Sequence, residues 1–371
     1  MSMTLSKMKK QVSFCSGRFF FHESETGMGH SFLRKTSSCI VMRTMIIGAM
    51  LISIPCSAQQ PAPPQANSAS SSPGFRAALT SETATIQDGD TPVLVYQRAP
   101  RSLAGKWTRS HYIHPLYDLE GQPITEDFPP DHLHHRGIFW AWHQVLVDGV
   151  PQGDPWLCQN FTWDVRRLRV EVDPAVVRLQ AIVLWRPGDV AATAEQTTAL
   201  APPASRRAIL RERTDIHVHP VEQEELSSYR CIDFQIRLQP LVAGLAIGGS
   251  DDTKGYGGFS ARIRMDRPLE FSGRTGPVEP QVNQIHAGPW MNFAWPEGGM
   301  LILNHPDNPN SPQPWILRRQ KSMQNAAFPG RSAYAIPQDQ PLKLRYRIVI
   351  YRGTLSTSAI ENLYKDYENS H

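Results

Sequence analysis

The sequence predicts an all-β protein, a large antiparallel β-sandwich with one short C-terminal helix. Three observations carry this reading. Apolar residues alternate over strand-length runs, the runs are rich in Val, Ile, Tyr, Phe and Trp, and each is bounded by Gly, Pro, Asp or Asn. The composition agrees: 31 prolines, 9 tryptophans and a charged fraction of 19% favour turns and strands over long amphipathic helices.

In chain order, strands are expected at 91–98, 111–119, 137–147, 161–172, 175–185, 217–219, 231–238, 259–265, 300–303 and 344–351. The last of these carries Arg345 and Arg347 on one face and ends at Gly353, as a half-buried antiparallel strand should. One stretch departs from the pattern. Ile360, Leu363 and Tyr364 recur at helical spacing within 358–367, with Ser356 or Thr357 available to cap the first turn, so a helix is expected there, packed on the sheet. No dinucleotide fingerprint, phosphate loop or internal repeat is evident.

The N-terminal part has a different character. Residues 45–54 form the one continuous apolar run, preceded by Arg43 and followed by Cys56-Ser57-Ala58, which is the layout of a secretory signal. The run falls short of the roughly 20 apolar residues that span a bilayer, so no membrane span is expected after cleavage. A signal rarely begins behind some forty mixed residues, and Met42-Arg43 gives a compact start. Residues 1–58 are thus expected to be an export region with a true start at or near Met42, 59–75 a Pro/Gln/Ser linker, and 76–371 the folded domain of a periplasmic or secreted protein. Only Cys158 and Cys231 survive such a cut, either as one disulfide or as two free thiols. The formal net charge of +4, with no basic block on a recognisable module, gives no reason to expect a nucleic acid partner.

Three segments carry the chemistry. In the first, Asp131-His132-Leu133-His134-His135-Arg136-Gly137 follows two prolines and runs directly into an apolar strand. If extended, it places His132 and His134 on one face and Asp131 and His135 on the other, so all three histidines cooperate only if the chain bends. In a metal-free reading His134 or His135 is the general acid or base, oriented by Asp131, with Arg136 stabilising negative charge. A metal-binding reading uses His132 and His134 with the second His-x-His, His217 and His219, and suits zinc or copper. In the second segment, the glycine-rich loop 248–258 presents Lys254 for an anion and Tyr256 for a sugar ring. In the third, the connection 304–318 offers His305, Asn308 and Arg318. All three are expected at one rim. His111, His114 and His286 read as structural, and the tryptophans as mostly core, with one or two free to floor a sugar site.

Together these segments resemble a bacterial family labelled "methane oxygenase PmoA", whose pattern runs Asp-His-Pro-His-His-Arg-Gly, then Gly-Tyr-Gly-Gly, then His-Pro-x-Asn-Pro. Here they correspond to Asp131 to Phe139, with Leu133 for the proline, then Gly255 to Gly258, then His305 to Pro309. The label implies metal-dependent oxidation with copper or zinc, whereas a membrane oxygenase subunit needs several apolar helices and this chain has a single short run. The strand pattern and loop-borne histidines are also similar to the galactose-mutarotase-like supersandwich of carbohydrate-active proteins. The leading expectation is therefore an exported protein that binds or processes a carbohydrate, as a lyase, hydrolase or epimerase. The alternatives are a copper- or zinc-dependent oxidative enzyme and a non-catalytic carbohydrate-binding protein.

Overall fold

Alternating apolar side chains need two faces to bury against, and here they build two large sheets packed across one core. The structure, a computed structural model, describes residues 74–188, 207–224, 226–264 and 266–370, all within one compact unit. The expected export region, the alternative start at Met42 and the linker up to residue 73 lie outside the described residues.

The first sheet has eight strands in the order Phe75–Leu79, Thr83–Asp88, Thr91–Gln97, Tyr112–Leu116, Ile138–Trp142, Gly257–Ala261, Gln324–Ala327 and Trp315–Ile316. The second has nine, in the order Phe161–Asp173, Val176–Pro187, Leu210–Gln223, Ser227–Pro240, Leu342–Gly353, Gly298–Asn304, Trp290–Trp295, Glu270–Gly273 and Gly276–Pro277. Four short strands, Tyr334–Ala335, Leu245–Gly248, Gln144–Val147 and Val150–Pro151, make a third sheet, and Arg101–Leu103 pairs with Lys106–Arg109. The pairings are antiparallel, and the all-β sandwich is as expected. Among the described residues no helix is long and apolar enough to cross a membrane.

Aromatic contacts stitch the two sheets together. Phe259 of the first stacks on Tyr346 of the second at 4.5 Å, and Trp142 meets Trp185 at 5.6 Å. Within this core lies a polar knot. Glu212 accepts hydrogen bonds from His111 (2.7 Å), Trp140 (2.7 Å), Trp185 (2.8 Å) and Thr214 (2.6 Å), while the other ring nitrogen of His111 meets the Tyr96 hydroxyl at 2.6 Å. Burial alone raises the proton affinity of the Glu212 carboxyl, but His111 and the other donors outweigh it and hold the group below its ordinary range.

The expected strand at 217–219 is the middle of a much longer one, Leu210–Gln223, because its outer face is polar and the apolar alternation is visible only on the inner face. The helix runs Thr357–Glu368 and is capped by Ser356, whose side chain accepts from the Ala359 amide. It buries Ile360, Leu363, Tyr364 and Tyr367 against the outer face of the nine-stranded sheet, on Tyr229, Cys231, Leu301, Leu303 and Val349. Cys158 and Cys231 are both free thiols.

Candidate active site

The strand Ile138–Trp142 is buried on both faces. Ile138, Trp140 and Trp142 enter the core, whereas Phe139 and Ala141 point outward and join Tyr112, Trp156 and Met323 in a second apolar cluster. The outer face of the eight-stranded sheet is therefore roofed at this point, and the roof is made of the loops that carry the candidate residues.

The histidine segment is bent rather than extended. Amide hydrogen bonds from His132 to the Pro129 carbonyl (3.0 Å) and from His135 to the His132 carbonyl (2.9 Å) form two successive turns. The strand alternation that separated the three imidazoles therefore does not apply. The His132 and His135 rings stack in parallel at 4.7 Å, and His134 meets them edge-on at 5.7 and 4.5 Å. Gly137 permits the close approach of the strand Tyr112–Leu116, since a Cβ there would lie 2.1 Å from the Ile113 carbonyl oxygen.

The residue that organises the cluster is Arg262. The ladder between Ile138–Trp142 and Gly257–Ala261 continues into a hydrogen bond from the Arg262 amide to the Gly137 carbonyl (2.8 Å), which sets the arginine against the bent segment. Only 2% exposed, Arg262 donates from Nη2 and Nη1 to the two Asp131 oxygens (2.7 and 3.2 Å), from Nε to Glu126 (2.9 Å), and from Nη1 to the Lys321 carbonyl (3.0 Å) and to Nδ1 of His135 (3.2 Å). A guanidinium has no acceptor, so Nδ1 of His135 is the unprotonated nitrogen and its proton sits on Nε2. Burial, then the neighbouring His134 and His132 and the Arg262 charge, push this imidazole far below its ordinary range, and it stays neutral.

Asp131 orients a different histidine from the one expected. Its Oδ2 lies 2.6 Å from Nδ1 of His132. Burial raises its proton affinity, yet hydrogen bonds from His132 and Arg262 outweigh this and hold the carboxyl below its usual range. With Asp131 ionised, the His132 ring donates to it from Nδ1, so in the neutral ring the lone pair lies on Nε2. His134 is pushed down to about 4 by burial and by His132, His143 and Arg109, and it stands beside the pair rather than in it.

A cavity of about 490 Å³ opens beside this cluster, lined by His132 and His135, by Lys254 and Tyr256 of the glycine-rich loop, and by the segment Leu317 to Lys321 with Met323. The glycine-rich loop is closed by its own hydrogen bonds. Asp252 Oδ1 accepts from the Ser250 hydroxyl and from the Lys254 and Gly255 amides, and Ser250 Oγ accepts from the Tyr256 amide. Tyr256 packs on Trp156 at 5.3 Å, with the Arg318 guanidinium 5.3 Å from its ring centre. The structure thus brings together His132, His135, Lys254, Tyr256 and Arg318.

Three expected residues lie elsewhere. Arg136 is fully buried, held 3.4 Å over the Phe128 ring with Nη1 on Asp127 (3.1 Å) and Nη2 on the Trp107 carbonyl, so its charge is spent on the fold. His305 and Asn308 belong to the outer face of the nine-stranded sheet. Asn308 bridges Asn304 and both backbone groups of Arg345, and the buried His305 ring meets Tyr367 of the helix edge-on at 5.0 Å. The connection leaves the nine-stranded sheet after Asn304 and joins the eight-stranded sheet at Trp315, and its two ends pack on different layers: His305 and Asn308 against the helix and Arg345, and Arg318 at the cavity.

The expected metal set is not assembled either. His217 and His219 lie on the second sheet, where His219 hydrogen-bonds Asp233 (2.8 Å), which in turn holds Arg347. Among the described residues no three His, Cys, Asp or Glu side chains converge so as to hold a metal ion.

Arg262, Lys321 and a second dyad carry no motif in the sequence; in the dyad, Nδ1 of His143 lies 2.9 Å from Asp154 and its ring stacks on Trp156 at 5.5 Å. Arg262 left one signal, an arginine at the end of a strand otherwise buried on both faces. A family profile described as "Family of unknown function (DUF6807)" matches residues 83–365, which include every residue lining the cavity, and the chain belongs to that family.

Proposed function

We propose that this protein is exported, that it binds a carbohydrate in the cavity between the histidine cluster and the 317–323 segment, and that it removes a proton from it with Nε2 of His132. The observation that carries the reading is the Asp131–His132 pair. It fixes one imidazole nitrogen as a donor and frees the other as a base, at the wall of a cavity that also offers the Tyr256 ring. His135 complements it as a neutral N–H donor toward an oxygen that gains negative charge, stacked at 4.7 Å from the base.

This pairing favours an epimerase or lyase over a hydrolase. Two-carboxylate glycoside hydrolysis needs an acid and a second carboxylate across the scissile bond, and among the described residues no Asp or Glu lines the cavity. The test is a panel of neutral and acidic mono- and oligosaccharides, followed by calorimetry for binding and NMR for turnover. His132→Ala should bind its sugar and turn it over about 10²–10⁴-fold more slowly. Undiminished turnover in that variant sinks the proposal, and binding without any turnover in the wild type leaves a carbohydrate-binding protein. Export is tested by fractionation and N-terminal sequencing of the mature chain.

A further inference from the structure

The cavity is electrically one-sided. Its side chains include four cations, Lys254, Arg318, Arg319 and Lys321, and no carboxylate among the described residues. Two of the four are compensated nearby: Arg319 donates to Glu279 at 2.9 Å, and Lys254 has a loose 3.8 Å pairing with Asp252. Arg318 and Lys321 form no ion pair among the described residues.

Arg318 is nevertheless immobilised. Nη1 donates to the carbonyls of Gln281 (2.7 Å) and Leu317 (2.8 Å), and Nη2 to that of Val282 (2.9 Å). Carbonyl oxygens satisfy three of the five N–H groups without neutralising the charge, so a rigid, uncompensated guanidinium is left against Tyr256. Lys321 has a backbone φ of 56°, in the left-handed region that a lysine adopts at a cost, and its carbonyl accepts from Arg262 behind the histidines. The strained turn ties the lysine to the arginine that orients Asp131 and His135.

We infer that the sugar taken by this site carries a carboxylate, as a uronic acid does, and that Arg318 and Lys321 bind that carboxylate beside the His132 base. The inference rests on the carbohydrate reading above and gives its chemistry a reason. A carbon–hydrogen bond next to a carboxylate becomes acidic enough for an imidazole only when cations neutralise the carboxylate. His132 Nε2 takes the proton, and the bonding electron pair moves into an enolate whose charge rests on the carboxylate oxygens facing Arg318 and Lys321. His132 Nε2 gives that proton up to solvent, and return of a solvent proton to the same carbon closes the cycle with the base regenerated and no other bond changed.

The experiment compares binding of glucuronate and galacturonate oligosaccharides with their neutral glucose and galactose counterparts, alongside solvent deuterium incorporation at the carbon bearing the carboxylate. The acidic sugars are expected to bind at least tenfold more tightly, with an affinity that falls as salt rises. Arg318→Gln and the surface variant Lys321→Gln should each erase most of that preference, whereas His132→Ala should keep it and abolish deuterium incorporation. Neutral sugars bound as tightly as acidic ones overturn the inference and leave the carbohydrate reading standing. Binding of neither class overturns both. Lys321→Gln is exposed and keeps the fold testable should Arg318→Gln destabilise its loop.

Discussion

His111 and His132 each sit against a carboxylate, 2.7 Å from Glu212 and 2.6 Å from Asp131, and the two pairs look alike by distance alone. Their surroundings are opposite. The His111–Glu212 pair is sealed in the core, where both ring nitrogens and both carboxylate oxygens are already engaged by Tyr96, Trp140, Trp185 and Thr214. The His132 side chain is 40% exposed, and its pair is anchored from one side only, by the buried Arg262, with Nε2 left over. A carboxylate–imidazole pair is chemistry in waiting only where hydrogen-bonding capacity remains unspent. Saturation turns the same pair into a tie between two sheets.

The comparison can be broken by mutation, the effect on stability being largest at the sealed pair. Glu212→Ala leaves two indole N–H groups, a hydroxyl and an imidazole buried without their acceptor, and denaturant titration should show a loss of about 3–5 kcal/mol. Arg262→Met leaves Asp131 without its buried partner and should cost about 2–4 kcal/mol by the same measurement, while also abolishing turnover, since both His132 and His135 lose their orientation. His305→Ala should cost about 1–3 kcal/mol and loosen the C-terminal helix, read as faster amide exchange in 357–368, with turnover unchanged.

Acid sharpens the contrast further. The folded chain holds His134 and His114 down to about 4, burial being the main cause, whereas the unfolded chain binds their protons near 6.5. The unfolded state therefore carries more protons between those limits, and stability should fall as pH drops from about 6.5 to about 4. His134→Gln should flatten that slope by at most about 1.4 kcal/mol per pH unit in melts across the range. The smallest effect belongs to the open pair. His132→Ala should change stability by less than about 0.5 kcal/mol and slow turnover by about 10²–10⁴-fold, which separates a reacting group from a structural one.

Much of this was legible in the chain. Alternation gave the strands that face the core, and Ser356 with the Ile360, Leu363 and Tyr364 spacing gave the helix to within a residue at each end. Of the residues expected at one rim, His132, His135, Lys254, Tyr256 and Arg318 do line one cavity, whereas Arg136, His305 and Asn308 lie apart from it. Strands with a polar outer face were under-read, as at Leu210–Gln223, because alternation is a signal only where one face is apolar.

What the sequence determined by itself is local: which runs alternate, where the turns fall, and which stretches concentrate imidazoles and guanidinium groups. Tertiary structure alone decided which of those groups remain free to act. Arg262 reaches Asp131 across 131 residues, Arg136 turns inward to Asp127 and Phe128, and the chain crosses between sheets after Asn304 and strands His305 away from the cavity. The physical reason is that protonation and accessibility are set by the partners a side chain finds in space, and in an antiparallel sandwich those partners come from strands far apart in sequence.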